Sequence, residues 1–337
     1  EVKKMKDLIK IAEDMKFVNK NLYKVFYPYV VKNPLRIPDY IKIANNFERC
    51  EKLREDYLKR GIMIPPILIL SITSKCNLKC KGCFAYENGN ISKGIVEDLS
   101  LDQWKEIIKE ANEIGVFCFF LAGGEPLLLD NLFQLCGEFP RNIFVLFSNG
   151  TLFNDEIIKE ISKYPNFVSL LSVEGDEQIT DFRRGKGTFK KVIENLKTLE
   201  KRKIISGISV TITRSNFKFW MSEENIDYFI DNGIKICVLT EYIPEKPDDD
   251  TAFAMLLKEE REEFRNKVLK FKETKKMLII HSPGDEELFG GCVSAGRGFA
   301  HVTPYGDLTP CPIANIATHN LKNSTLLEAL QSDLFEK

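Results

Sequence analysis

Three thiols stand close together in residues 74–89, "SKCNLKCKGCFAYENG", where Cys76, Cys80 and Cys83 follow the spacing C-x3-C-x2-C among small, polar and basic residues. Thiolates are soft ligands, and three on one loop can hold a zinc ion or an iron–sulfur cluster. Structural zinc sites usually bring two ligand pairs and reach four protein ligands. Here no second pair lies nearby, and the three histidines, His281, His301 and His319, are far downstream. A cubane on three cysteines leaves one iron open for a small molecule and suits this set better, with zinc and unligated thiols as the alternatives. A second pattern lies toward the C-terminal end, where Cys292, Gly306 and Cys311 follow C-x13-G-x4-C.

Nine cysteines in a chain of 337 residues are an odd number in a long sequence, which argues for ligation and against a disulfide framework. Cys118, Cys136 and Cys237 fall inside apolar runs and read as core residues, while Cys50 carries no signal. With 44% hydrophobic and 29% charged residues the composition is that of a soluble globular protein with one large core or two modest ones. No run approaches the roughly 18 to 20 apolar residues of a spanning helix, and no signal-peptide succession opens the sequence, so a cytoplasmic location is expected. A net charge of -1 gives no polybasic signature for nucleic acid. Residues 1–62 differ from the rest, with 15 Lys and Arg against 9 Asp and Glu.

The elements that must position these thiols are legible as apolar, β-rich runs. They lie at residues 66–73, 115–122, 142–148, 166–173, 205–213 and 234–242. Stretches of helical period separate them, among them "SLDQWKEIIKEANEI" and "TFKKVIENLKTLEKRK". Strand and helix in alternation predict parallel strands joined by crossovers, and the near-continuous apolar character predicts strands covered on both faces. Periodicity does not separate an open doubly wound sheet from a barrel. In either, chemistry gathers on the loops after the strands. Those loops carry the three cysteines, "GGEP" at 123–126, "SNGT" at 148–151, "SVEG" at 172–175 and "TRSN" at 213–216.

In combination, the cysteine triplet, "GGEP", "SNGT" and "SVEG" at these intervals resemble the radical S-adenosylmethionine (radical SAM) superfamily over about residues 66–242. The resemblance implies a partial (β/α)6 TIM-like barrel, here with an N-terminal helical segment at 1–62, a core at 63–245, and a linker helix with a small hairpin extension at 246–337. It implies a 4Fe-4S cluster on Cys76, Cys80 and Cys83, and SAM bound through its amino and carboxylate groups to the fourth iron. One-electron reduction, by a flavodoxin or ferredoxin type of donor, would cleave SAM to a 5'-deoxyadenosyl radical that abstracts a substrate hydrogen. The cofactors supply the radical, and the protein supplies placement and exclusion of water. By the same resemblance Gly123, Gly124, Glu125 and Pro126 meet the SAM amino group. Asn149, Ser172 and Glu174 face the ribose and methionine carboxylate region, and Arg183 or Arg184 forks onto the carboxylate. One departure stands out: the superfamily commonly has an aromatic residue before the third cysteine, where this chain has Gly82, so Phe84 or Tyr86 is the candidate to pack on adenine.

The C-terminal pattern resembles the opening of SPASM or twitch extensions, with a hairpin over "FAHVTPYGDLTPC". Cys292 and Cys311 are candidates for an auxiliary cluster, although no cysteine follows Cys311. His301 alternates with apolar residues in that hairpin and reads as structural, with a substrate contact as the alternative. Substrate class rests on two features. The aromatic and basic N-terminal segment, with breaks at Pro28, Pro34 and Pro38, suits a membrane surface or helices packed over the barrel, and suggests C-C bond formation on an apolar lipid chain. The SPASM-like cysteines suggest modification of a ribosomally made peptide. A zinc-stabilised binding module is the non-enzymatic alternative.

Overall fold

The computed structural model describes residues 33–87, 91, 96–244 and 255–335. In chain order these form α1 (Ile37–Lys59), β1 (Ile67–Thr73), α2 (Leu101–Ile114), β2 (Cys118–Gly123), α3 (Leu132–Gly137), β3 (Ile143–Ser148), α4 (Asp155–Ile161) and β4 (Phe167–Ser172). Then follow α5 (Glu177–Arg184), α6 (Thr188–Lys201), β5 (Ser206–Ile212), α7 (Glu223–Asp231), β6 (Ile236–Glu241), α8 (Lys258–Thr274), β7 (Leu278–Ser282), β8 (Phe299–Val302), β9 (Leu308–Thr309) and α9 (Leu326–Leu330). All six expected strands are present with ends within a few residues of the apolar runs. The seventh, β7, was not among the expected six; its short run LIIHS looks like the end of the preceding helical stretch until its pairing is known.

The chain forms two compact units. The first holds residues 42–79, 83–148 and 292–337. In it β1 pairs in parallel with β2, and β2 with β3. On the other side of β1 lies β8, also parallel, with β9 antiparallel to it. The hairpin read from the sequence is therefore present, and the fold makes it part of the same sheet as the strand that precedes the cysteines. Its turn needs Gly306, at a φ of 98°. Trp104, Phe119 and Phe144 fill the core, the two phenylalanines stacked at 5.4 Å. Ser100 and Gln103 form a capping box at the start of α2. At its other end Arg54 donates to the Gly115 carbonyl at 2.7 Å, placing a cation where the helix dipole favours one. Arg49 and Asn46 of α1 likewise bond Asn112 and the Arg141 carbonyl, which secures α1 in this unit.

The second unit holds residues 33–41, 80–82 and 149–291 of the described chain. Here β4, β5, β6 and β7 run parallel in that order. Phe167, Phe217, Trp220, Phe229, Phe264 and Phe271 are its largest buried side chains, with Trp220 and Phe229 stacked at 5.0 Å. Pro34 opens a short 3-10 turn and Pro38 lies in the first turn of α1. The expected breaks at those two prolines are thus a helix start, because a first-turn N–H has no intrahelical acceptor to lose. Pro28 and the rest of residues 1–32, which include the first part of the segment read as suited to a membrane surface, lie outside the described residues. Among the described residues no helix is long and apolar enough to cross a membrane.

Candidate functional site

In the first unit the loop after β1 leads directly into Cys76. The loop after β2 runs alongside it: the Gly124 N–H donates to the Thr73 carbonyl and the Glu125 N–H to the Lys75 carbonyl, each at 2.8 Å. These two bonds carry the β1–β2 ladder to the residue before Cys76. The approach is too close for side chains. A Cβ on Gly123 would lie 2.7 Å from the Thr73 carbonyl oxygen, and one on Gly124 would lie 2.0 Å from that of Lys75. Glu125, fully buried, caps the turn Pro126–Leu128 by accepting from the Leu127 N–H, and the same oxygen accepts from the Ser148 hydroxyl at 2.8 Å. A carboxylate, an acceptor without donors, is the chemical match for an ammonium partner. Asp98, which sequence reasoning did not single out, accepts from the Thr73 hydroxyl at 2.8 Å and the Ser74 N–H at 2.9 Å. Phe84 is half-buried at the start of the short helix Phe84–Glu87, and the Tyr86 hydroxyl donates to the Leu78 carbonyl at 2.9 Å.

In the second unit the ends of β4 and α5 meet the turn Cys80–Gly82. Glu174 is buried, and its Oε1 accepts from Arg183 Nη1 at 2.6 Å and from Arg184 Nε at 2.7 Å. Its Oε2 accepts from the Thr211 N–H at 3.1 Å. Arg184 Nη1 lies 4.0 Å from Cys80 Sγ. Ser172 ends β4 and is nearly buried. Asn149 accepts from both the N–H and the hydroxyl of Thr151, an Asx turn that shapes its loop. The glutamate therefore neutralises two arginines, a task its position in "SVEG" does not announce.

Cys76, Cys80 and Cys83 are all of intermediate exposure. Among the described residues no group of three or more His, Cys, Asp or Glu side chains is gathered into a metal-holding cluster. By its chemistry the donor set fits a 4Fe-4S cluster: three thiols at this spacing along the chain, each of intermediate exposure. By contrast, Cys136 and Cys237 are buried, and burial lifts their thiols well above the ordinary range, as inert core cysteines require; Cys118, read from the sequence as core, is of intermediate exposure.

In the C-terminal extension Cys292 is exposed with its Sγ 3.1 Å from Ser294 Oγ, and Cys311 Sγ accepts from the Ala314 N–H at 3.3 Å. The Ala295 N–H donates to the Pro310 carbonyl, which brings the two cysteine-bearing loops side by side. His301 is buried, with Nε2 2.7 Å from Ser71 Oγ and Nδ1 2.7 Å from Thr309 Oγ1. With the Thr309 hydroxyl donating to the Cys311 carbonyl at 3.1 Å, the Nδ1–H tautomer satisfies every group. Burial pushes the His301 pKa from 6.5 to about 3. Between those values the unfolded chain binds a proton that the folded one refuses, so this stability is complete above pH 6.5 and is lost as pH falls toward 3. The unfolding free energy by which the wild type exceeds His301→Gln should accordingly shrink between pH 7 and pH 4, by roughly 1.4 kcal/mol per pH unit at most. A difference independent of pH would contradict the neutral assignment.

Comparison with known proteins accounts for this arrangement. Residues 70–218 match the sequence model of the Radical SAM superfamily. The superfamily is one of enzymes that use a 4Fe-4S cluster and SAM. The chain is 31% identical over 157 residues to the sporulation killing factor maturation protein SkfB of Bacillus subtilis, which covers 45% of this chain and 37% of SkfB. It is 23% identical over 298 residues to the AdoMet-dependent heme synthase of Methanosarcina barkeri, covering 81% of this chain and 84% of that protein. Among solved structures, Streptococcus suis SuiB bound to its precursor peptide SuiA has a TM-score of 0.67 at 18% identity, covering 84% of this chain and 68% of SuiB. That likeness shows the fold, the expected α/β radical SAM partial barrel.

Proposed function

We propose that this protein is a radical SAM enzyme that abstracts hydrogen from an unactivated C–H bond of a ribosomally made peptide. The observation that supports the substrate class is the fold shared, over 84% of the chain, with SuiB, a protein solved bound to a precursor peptide. SkfB, by its name a maturation protein, supports the same reading. Cys76, Cys80 and Cys83 would hold the 4Fe-4S cluster, which supplies one-electron cleavage of SAM when bound. Gly123 and Gly124 keep the backbone beside Cys76 in place, and Glu125, fixed by Ser148, offers its carboxylate to the SAM amino group. Arg184 supplies positive charge beside Cys80 and toward the SAM carboxylate. An electron donor of flavodoxin or ferredoxin type belongs to the same proposal, as does an auxiliary cluster that would enlist Cys292 and Cys311.

C-C coupling on a membrane lipid rests on the aromatic and basic segment 17–66, of which residues 17–32 lie outside the described residues. The zinc-module alternative leaves the superfamily match of residues 70–218 without a reason. The deciding assay is dithionite-dependent release of 5'-deoxyadenosine by anaerobically reconstituted protein, with small peptides encoded beside its gene or with vesicles of a host lipid extract. The expected result is release that a peptide raises, a mass change on that peptide, and no release by Cys80→Ala. Stimulation by the vesicles alone would replace the peptide with a lipid. Iron near about four per chain fits the three-cysteine cluster alone, and near about eight requires the auxiliary one.

A further inference from the structure

We propose that Arg183 is a positioning residue for Cys80, clamping the two main-chain carbonyls that follow that cysteine. The inference rests on the reading of Cys80 as a cluster ligand. Arg183 Nε donates to the Lys81 carbonyl at 3.0 Å and Nη2 to the Gly82 carbonyl at 3.1 Å, while Nη1 is held by Glu174. The bond is returned on the backbone, where the Lys81 N–H donates to the Arg183 carbonyl at 3.0 Å. All three nitrogens of a side chain that is 8% exposed are thus bonded to protein groups.

The chemistry of the guanidinium explains the choice of residue. Its N–H groups lie in one rigid plane, so two carbonyls and a carboxylate bonded to them are fixed relative to one another. The Lys81 and Gly82 carbonyls belong to consecutive peptide planes. Holding both fixes the turn at Gly82, whose φ is 58°, and with it the direction in which the chain leaves Cys80. A lysine would place one compact charge near Glu174 and could not span both carbonyls. Arg184 shares Glu174 yet faces differently, with Nη1 toward Cys80 Sγ. The two adjacent arginines therefore divide the work: Arg183 holds the backbone of the ligand turn, and Arg184 brings charge to its sulfur. Resemblance alone left them interchangeable.

Two measurements on the full-length chain test the clamp. In protein isolated without cluster, kept anaerobic and reduced, alkylation of each cysteine by N-ethylmaleimide is followed by peptide mass mapping, with the exposed Cys292 as internal reference. Arg183→Lys, which retains a cation for Glu174, and Arg183→Met should each raise the Cys80 rate relative to Cys292 about fivefold or more, as expected for losing charge-assisted bonds that hold a turn. An unchanged ratio, or a parallel rise at Cys292, would overturn the proposal. In reconstituted protein, iron loss to a chelator should be several-fold faster in both variants, and equal rates would count equally against it. If the wild type takes up no cluster at all, the enzyme reading fails, whereas the alkylation ratio still decides the clamp.

Discussion

Gly124→Ala is expected to leave the protein largely without iron and sulfide after reconstitution, below about a tenth of the wild-type content, because the added methyl cannot be housed without moving the ligand loop. Its carbon would lie 2.0 Å from the Lys75 carbonyl oxygen and 2.6 Å from the carbonyl carbon. Both are backbone atoms, so no side-chain rotation relieves the overlap. The bond from the Glu125 N–H to that same carbonyl would be lost with it, and Lys75 immediately precedes Cys76. Destabilisation of about 1 to 3 kcal/mol should accompany the lost iron. Gly61→Ala is the control: a methyl there meets nothing within 4 Å, and only the positive φ of 78° opposes it. That variant should lose about 1 kcal/mol and no iron. Iron and sulfide analysis beside thermal unfolding separates the two, and normal loading of Gly124→Ala would sink the argument.

Glu174→Gln is expected to carry the largest cost in stability, about 3 to 5 kcal/mol, because it leaves two arginines crowded around a neutral amide in a buried place. The carboxylate is 1% exposed, and the arginine side chains that share its Oε1 are 8% and 12% exposed. For a chain of this size the loss should lower the Tm by on the order of 10 °C. The shared carboxylate oxygen should also couple the two sites. In the Glu174→Gln background, Arg183→Met should cost much less than it does alone, since removing one cation relieves the repulsion that the first change created. Strict additivity in a double-mutant cycle would show that the arginines and the glutamate act independently, against the geometry.

Local signals made much of this protein legible beforehand. Strands β1 to β6 announce themselves as short apolar runs bounded by polar loops, since a strand covered on both faces has no room for polar side chains. The hairpin bearing Cys311 shows itself through Gly306 and alternating residues, and the cysteine triplet through spacing alone. Each of these depends on neighbours within about a dozen residues. The tertiary structure alone decided matters that depend on distant partners. Nothing in "FAHV" tells that β8 pairs in parallel with β1, more than two hundred residues earlier, because a strand's edge bonds through backbone groups common to every sequence. Nothing in "DFRRG" tells Arg183 from Arg184; the difference arises when the carbonyls of Lys81 and Gly82, a hundred residues away, come within reach of one guanidinium and not the other. Nor does "GGEP" reveal that its second glycine is required by the Lys75 carbonyl. Residue types and spacing determined which chemistry this chain can hold, while the packing of backbone against backbone decided which side chains hold it in place.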